Sequence, residues 1–150
     1  DGYRPEGGCA TSPRSKAGSR KCGGGFGRVS YAAAPEVDDA RGRLLKAWPR
    51  PVEGEVYVVE LRPGHPRGHH LHRRGGEWFV PLSGRATLVV EQPETGDRAV
   101  VSLDRVRARV EPGQAHALFA SGDESAWVLA IADVPWDQEE TIPSPVQEPC

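Results

Sequence analysis

Methionine is absent from this 150-residue chain, even at position 1, so the polypeptide is expected to be a fragment, a processed form, or preceded by further residues. Cysteine is scarce. Cys9, Cys22 and Cys150 are odd in number and scattered outside the expected core, which argues against a disulfide framework and for three free thiols. Their spacing does not suggest a zinc knuckle either. No apolar run approaches the ~20 residues needed to span a bilayer, and no signal-peptide pattern opens the chain. No membrane partner and a cytoplasmic location are therefore expected. An excess of one charge is also missing: a net charge of −2 gives no electrostatic case for nucleic acid as a partner.

What the chain does have is 18 glycines and 14 prolines beside 37% hydrophobic residues, enough for one core built from short elements and many turns. This favours an all-β fold. Residues 1–28 are rich in Gly, Ser, Pro and Arg and carry no apolar periodicity, so they read as a disordered tail. The run Gly23-Gly24-Gly25-Phe26-Gly27 is not a phosphate loop, because no strand precedes it and no Lys-Ser/Thr follows. Residues 36–48 fit a short helix or an edge strand that ends at Trp48-Pro49. The expected organisation is a flexible, Gly/Ser/Arg-rich segment over 1–40, a barrel over 41–138 and a tail over 139–150.

From Gly54 onward the pattern is period-two and β-branched. Strands are expected over 55–61, 68–73, 77–81, 85–91, 98–103, 106–110, 116–120 and 126–133. Eight short strands separated by Gly and Pro turns predict a double-sheet jelly roll. Trp78 and Phe79, neighbours on one strand, must face opposite ways, one into the core and the other toward the mouth or a subunit contact. Arg105, Arg107 and Arg109 alternate with Val106, Ala108 and Val110, which fits a solvated face or an anion-binding wall.

Four of the five histidines fall between positions 65 and 72. His70 and His72 are two apart and share one face of an extended strand, while a tight turn at Gly75-Gly76 would bring Glu77 back beside them. His116, after the turn-like Val110-Glu111-Pro112-Gly113-Gln114-Ala115, could supply a third nitrogen. Two or three imidazoles and a carboxylate suit one divalent transition metal (Zn, Mn, Fe or Ni) with water completing the coordination. His65 and His69 read as packed or solvated side chains, and His69, out of phase with its neighbours, should face away from the pocket.

Gly64, five residues, His70-x-His72, four residues, Glu77, six residues and Gly84 resemble the first cupin motif in full. The second motif is matched in part: Gly113 and His116 are present, Glu111 stands at the Pro position and Ala120 at the Asn position. The resemblance covers residues 54–134 and implies a double-stranded β-helix (jelly-roll) cupin barrel with the metal site inside it, in a family whose members form homodimers. Arg67-Gly68-His69-His70-Leu71-His72-Arg73 is similar to the corresponding segment of nucleotide-sugar 3,4-ketoisomerases, which work without a metal and carry Gln where this chain has Glu77. With the Glu, and with Gly76-Glu77-Trp78-Phe79-Val80-Pro81-Leu82-Ser83-Gly84 and Ile131-Ala132-Asp133-Val134-Pro135-Trp136-Asp137, it resembles the C-terminal cupin of capsular-polysaccharide reductases, which binds zinc.

These resemblances imply an isomerase or epimerase of a nucleotide-linked ketosugar, used in carbohydrate biosynthesis. A metal on His70, His72, Glu77 and His116 would polarise a ketone while a base moves the neighbouring proton. Glu77 could alternate between ligand and base, and His72 is the base if no metal is bound. Arg67, and after it Arg73, could grip the diphosphate. Two other classes fit the same ligands: an Fe(II)-dependent dioxygenase, and a non-catalytic module that binds a sugar or small acid.

Overall fold

The computed structural model describes residues 29–33 and 36–149, so the expectations for residues 1–28 and for Cys9, Cys22 and Cys150 lie outside the described residues. Twelve strands and no helix occur among the described residues: β1 (Ser30–Ala33), β2 (Glu36–Asp39), β3 (Gly42–Leu45), β4 (Glu55–Leu61), β5 (Arg67–His72), β6 (Glu77–Ser83), β7 (Ala86–Glu91), β8 (Arg98–Ser102), β9 (Val106–Val110), β10 (Ala115–Ala120), β11 (Ala126–Ala132) and β12 (Thr141–Pro143). The expected all-β class is observed.

One five-stranded sheet runs in the order β1-β9-β6-β11-β4 and the other in the order β12-β5-β10-β7-β8. From β4 to β7 the chain alternates between the sheets at every strand, and it does so again from β8 to β12, which is the winding of a jelly-roll cupin barrel. The inner faces meet in a core of Leu61, Phe79, Leu88, Leu103, Ala108, Val110, Leu118, Val128 and Ala130, all under 4% exposed. Burying a side chain the size of Phe79 contributes about 1.5–3 kcal/mol. Its neighbour Trp78 faces the other way and packs on Trp48, with ring centroids 5.4 Å apart.

Residues 36–48 form neither a helix nor a single edge strand. β2 and β3 make a small antiparallel hairpin, with Asp39 opposite Gly42. Hydrogen-bonded strands also lie outside residues 41–138. β1 pairs with β9 at one sheet edge, and β12 pairs with β5 at another. Beyond β12 the chain crosses the outer face of the second sheet, where Val146 is buried against Val89, Ala115, Ala117 and Phe119. Apolar residues on that outer face need a cover, and this segment provides it.

The arginines of β9 are not a simple solvated face. Arg109 is clasped by Asp133 at 2.6 Å and Glu111 at 2.9 Å, and Arg107 lies over the rings of Trp48 and Trp78. Arg109 is thus committed to carboxylates, whereas the buried Nε and Nη1 of Arg107 have no hydrogen-bond partner among the described residues.

Candidate metal centre and cavity

β5 begins irregularly. Gly68 and His69 both have positive φ, 106° and 58°, and the pairing of β5 with β10 slips by one residue there: His116 faces His70, but Ala117 faces Gly68. This is a β-bulge with His69 as the extra residue. A Cβ at Gly68 would lie 2.8 Å from the His116 carbonyl oxygen, so the close strand approach that seats His116 requires glycine. The bulge turns His69 outward, as expected, where its ring meets Phe119 edge-on and its Nδ1 accepts the Val146 N–H.

After the bulge the alternation is regular, and His70 and His72 face inward beside His116. Their ring centroids are 4.7–5.5 Å from one another. Gly75-Gly76 brings Glu77 beside the histidines, and it does so by carrying the chain across from the second sheet to the first. Neither glycine is in the positive-φ region; the reason for them is space, since a Cβ on Gly76 would collide with the Arg109 guanidinium at 2.3 Å. Glu77 therefore faces the three imidazoles from the opposite sheet. Its Oε2 lies 3.3 Å from His72 Nε2 and 3.5 Å from His116 Nε2.

One potential ligand atom from each of His70, His72, Glu77 and His116 lies within 4.8 Å of the others. Donors ~2.1 Å from a shared tetrahedral ion stand about 3.4 Å apart, and trans donors in a larger shell about 4.2 Å, so this set fits one ion with little adjustment. Backbone geometry supports the same use of His116: its Nδ1 faces the Gln114 carbonyl at 3.5 Å, which leaves Nε2 for the cage. Burial, followed by the His116 and His72 imidazoles, pulls His70 down to about 4, so it is neutral near pH 7 and its lone pair is free. Burial raises the Glu77 carboxyl, but hydrogen bonds from His116, His72 and Tyr57 outweigh it and hold the group at about 2. A neutral His70 ring beside an ionised Glu77 carboxylate offers a lone pair and an anion, both of which a divalent cation needs.

The cage opens on a cavity of about 260 Å³. His72 and Glu77 line it together with Glu55, Tyr57, Gly75, Gly76, Ala132, Val134, Pro135, Trp136 and Glu140. Glu55, Tyr57, Trp136 and Glu140 were given no site role from sequence. The Tyr57 hydroxyl donates to Glu77 Oε1, and burial, followed by the Glu77 charge, pushes the phenol up. Tyr57 is an inward position of β4, and the period-two pattern around it was the available signal. Glu140 lies in polar sequence without periodicity, and no signal marked it; Trp136 lies in the 131–137 stretch that carries the resemblance, but nothing there marked it as a cavity residue. Trp136 is 68% exposed at the mouth, with its backbone N–H held by Glu55 at 2.8 Å. The expected substrate arginines do not line the cavity. Arg67 stands at the far end of β5 from His72, with its Nε donating to the Glu60 carbonyl at 3.3 Å. Arg73 is exposed just past His72.

Residues 37–141 match the family model for the polysaccharide biosynthesis C-terminal domain. The chain belongs to that family. No curated protein matches its sequence. Among solved structures, a dTDP sugar isomerase from Desulfovibrio desulfuricans is similar, with a TM-score of 0.71 and 22% identity over 78% of this chain and 83% of the other. QdtA, a sugar 3,4-ketoisomerase from Thermoanaerobacterium thermosaccharolyticum solved with TDP, has a TM-score of 0.63 and 19% identity over 77% and 88% of the two chains. ChmJ, a 3'-monoepimerase from Streptomyces bikiniensis solved with dTDP-quinovose, has a TM-score of 0.67 and 18% identity over 75% and 67%. At these identities the likeness establishes a shared cupin-like β-fold for this polysaccharide-biosynthesis domain.

Proposed function

We propose that this domain isomerises or epimerises a nucleotide-linked ketosugar, with one divalent metal (Zn, Mn, Fe or Ni) held by His70, His72, Glu77 and His116. The observation that carries this reading is the cage itself: three imidazoles and a carboxylate meet at the floor of a cavity whose volume suits a sugar ring. Relatives of the same fold that act on or bind TDP-linked sugars support the substrate class.

The bound metal would supply Lewis acidity to the ketone oxygen. The chain's own residues supply the rest. The sugar enters between Trp136 and the Gly75-Gly76 crossing, so the carbon beside the carbonyl approaches His72 and Glu77, the two cage residues that line the cavity. With the metal held, Glu77 is assigned to alternate between ligand and base, carrying the proton off that carbon and returning it at the neighbouring carbon in isomerisation or on the opposite face in epimerisation; His72, with 14% of its side chain exposed, takes that role only where no metal is bound. No net oxidation is needed. The diphosphate stays outside the cavity, where exposed Arg73 is assigned to meet it in preference to Arg67, whose Nε already has a carbonyl partner.

The test is incubation of the metal-loaded protein with dTDP-4-keto-6-deoxyglucose in deuterated water, followed by NMR. Deuterium entering beside the carbonyl is expected, and His72→Ala should abolish it. No exchange with any of several ketosugars overturns the reading. The apolar wall of Ala132, Val134, Pro135 and Trp136 favours a second reading, a dioxygenase, which iron in the purified protein and oxygen consumption would support.

A further inference from the structure

The two oxygens of Glu77 have different neighbours. Tyr57 donates its hydroxyl hydrogen to Oε1, whereas Oε2 faces the imidazoles, 3.3 Å from His72 Nε2 and 3.5 Å from His116 Nε2. Glu77 is 1% exposed, so the protein sets its environment. A carboxylate can bind a metal through one oxygen or chelate it through both, and that choice decides how many coordination positions stay open. An oxygen already accepting a phenolic O–H is a poorer ligand. Beside a carboxylate near neutral pH, a phenol keeps its hydrogen and can only donate.

We propose that Tyr57 is a positioning residue that fixes Glu77 as a one-oxygen metal ligand and so keeps a coordination position open on the cavity side for a substrate oxygen. Tyr57 is suited to this by place. It comes from β4, on the same sheet as Glu77 but separated from β6 by β11, and it lines the cavity together with His72 and Glu77. The donor therefore approaches Glu77 from the cavity wall, while the imidazoles approach from the other sheet. This inference rests on the metal reading above and concerns how the metal is held rather than which sugar is processed.

The experiment loads cobalt(II) into the chelated wild-type chain and into Tyr57→Phe, which keeps the ring and its packing. Four- and five-coordinate cobalt absorbs visible light much more strongly than six-coordinate cobalt. The expected result is a weaker and shifted cobalt band in Tyr57→Phe, with a narrower splitting of the Glu77 carboxylate stretches in the infrared as the freed Oε1 joins the metal. The second probe is Glu77→Gln at saturating cobalt, because an amide coordinates through a single oxygen. Adding Tyr57→Phe to that variant should leave its cobalt spectrum unchanged. Identical cobalt and infrared spectra for wild type and Tyr57→Phe overturn the inference, and so does an equal spectral change in the Glu77→Gln background. If the wild-type chain takes up no cobalt at all, the metal cage itself falls and the inference with it. Failure to process a sugar, with the spectral shift intact, would count against the ketosugar reading alone.

Discussion

Glu140 holds Gly75 in place: its buried Oε1 accepts the Gly75 N–H at 2.7 Å and also the N–H of Arg74, while Oε2 accepts the Arg74 guanidinium at 2.7 Å. The crossing between the two sheets, which delivers Glu77 to the imidazoles, is therefore tied to a side chain more than sixty residues away in sequence. Glu140→Ala leaves two backbone N–H groups without their acceptor. The expected cost is about 2–4 kcal/mol, seen as a lower unfolding midpoint in urea. Glu140→Gln keeps a side-chain carbonyl and should cost less. An unchanged midpoint for Glu140→Ala would show that the crossing holds without it.

The Glu140 contribution also has a pH signature. Burial raises the carboxyl, but Arg74 and the Gly75 and Arg74 N–H groups outweigh that and bring it to about 2, below the ordinary value of 4.5. The unfolded chain binds the proton first as pH falls, so the stabilisation is complete above 4.5 and disappears as pH drops through about 2. In Glu140→Gln this part of the acid dependence should vanish, which urea unfolding at a series of pH values measures.

His70 predicts a dependence at higher pH in the chelated protein. Its folded value, about 4, lies below the ordinary 6.5 because burial and the two neighbouring imidazoles disfavour the cation. The unfolded chain takes up the proton first, so stability is complete above 6.5 and falls as pH drops from 6.5 to about 4. Replacing the ring by an uncharged amide in His70→Asn should flatten the melting temperature across that window. A slope equal to that of wild type would exclude His70 as its source.

The first cupin motif was legible because its spacing is a physical statement: two residues on a strand put His70 and His72 on one face whatever surrounds them. Spacing alone does not show that Glu77 arrives from the facing sheet, because a Gly-Gly pair serves equally in a tight turn or in a crossing where neighbours leave no room for a Cβ. The bulge at Gly68-His69 left no trace in the polar pattern, although it seats His116 opposite His70. β12 was hidden for another reason. Thr141-Ile142-Pro143 is too short for periodicity, and it is a strand only because β5 offers an open edge. Tyr57 sat in a strand that was expected, but its partner is twenty residues away, a distance that hydrophobic alternation does not encode.

Metal should bind the folded chain and not the unfolded one, because the four ligands come from three strands in two sheets. At a free concentration a hundredfold above Kd, a ligand of that kind stabilises by about 2.7 kcal/mol. Zinc added to the chelated protein should therefore raise the melting temperature, and chelation should return it. His72→Ala should lose most of this shift, with affinity weakened severely. Equal shifts in the two proteins would show that zinc binds elsewhere.

The segment after β12 is expected to stabilise the barrel rather than trail from it. Val146 is 6% exposed and packs on the outer-face cluster of Val89, Ala115, Ala117 and Phe119. Polar contacts fix its register: the Ser144 N–H donates to the His69 carbonyl at 2.7 Å, the Val146 N–H to His69 Nδ1 at 3.2 Å, and Arg98 reaches the Gln147 and Glu148 carbonyls. Val146→Ala removes two buried methyl groups' worth of apolar surface, so a loss of about 1–2 kcal/mol is expected. Ending the chain after Pro143 should cost more, because it also bares Phe119 and leaves the bulged His69 without its partner. Both losses should be read in the chelated protein, so that metal affinity does not contribute. If the shortened chain melts with the full one, the outer face of the second sheet needs no cover and the segment is a passive tail after all.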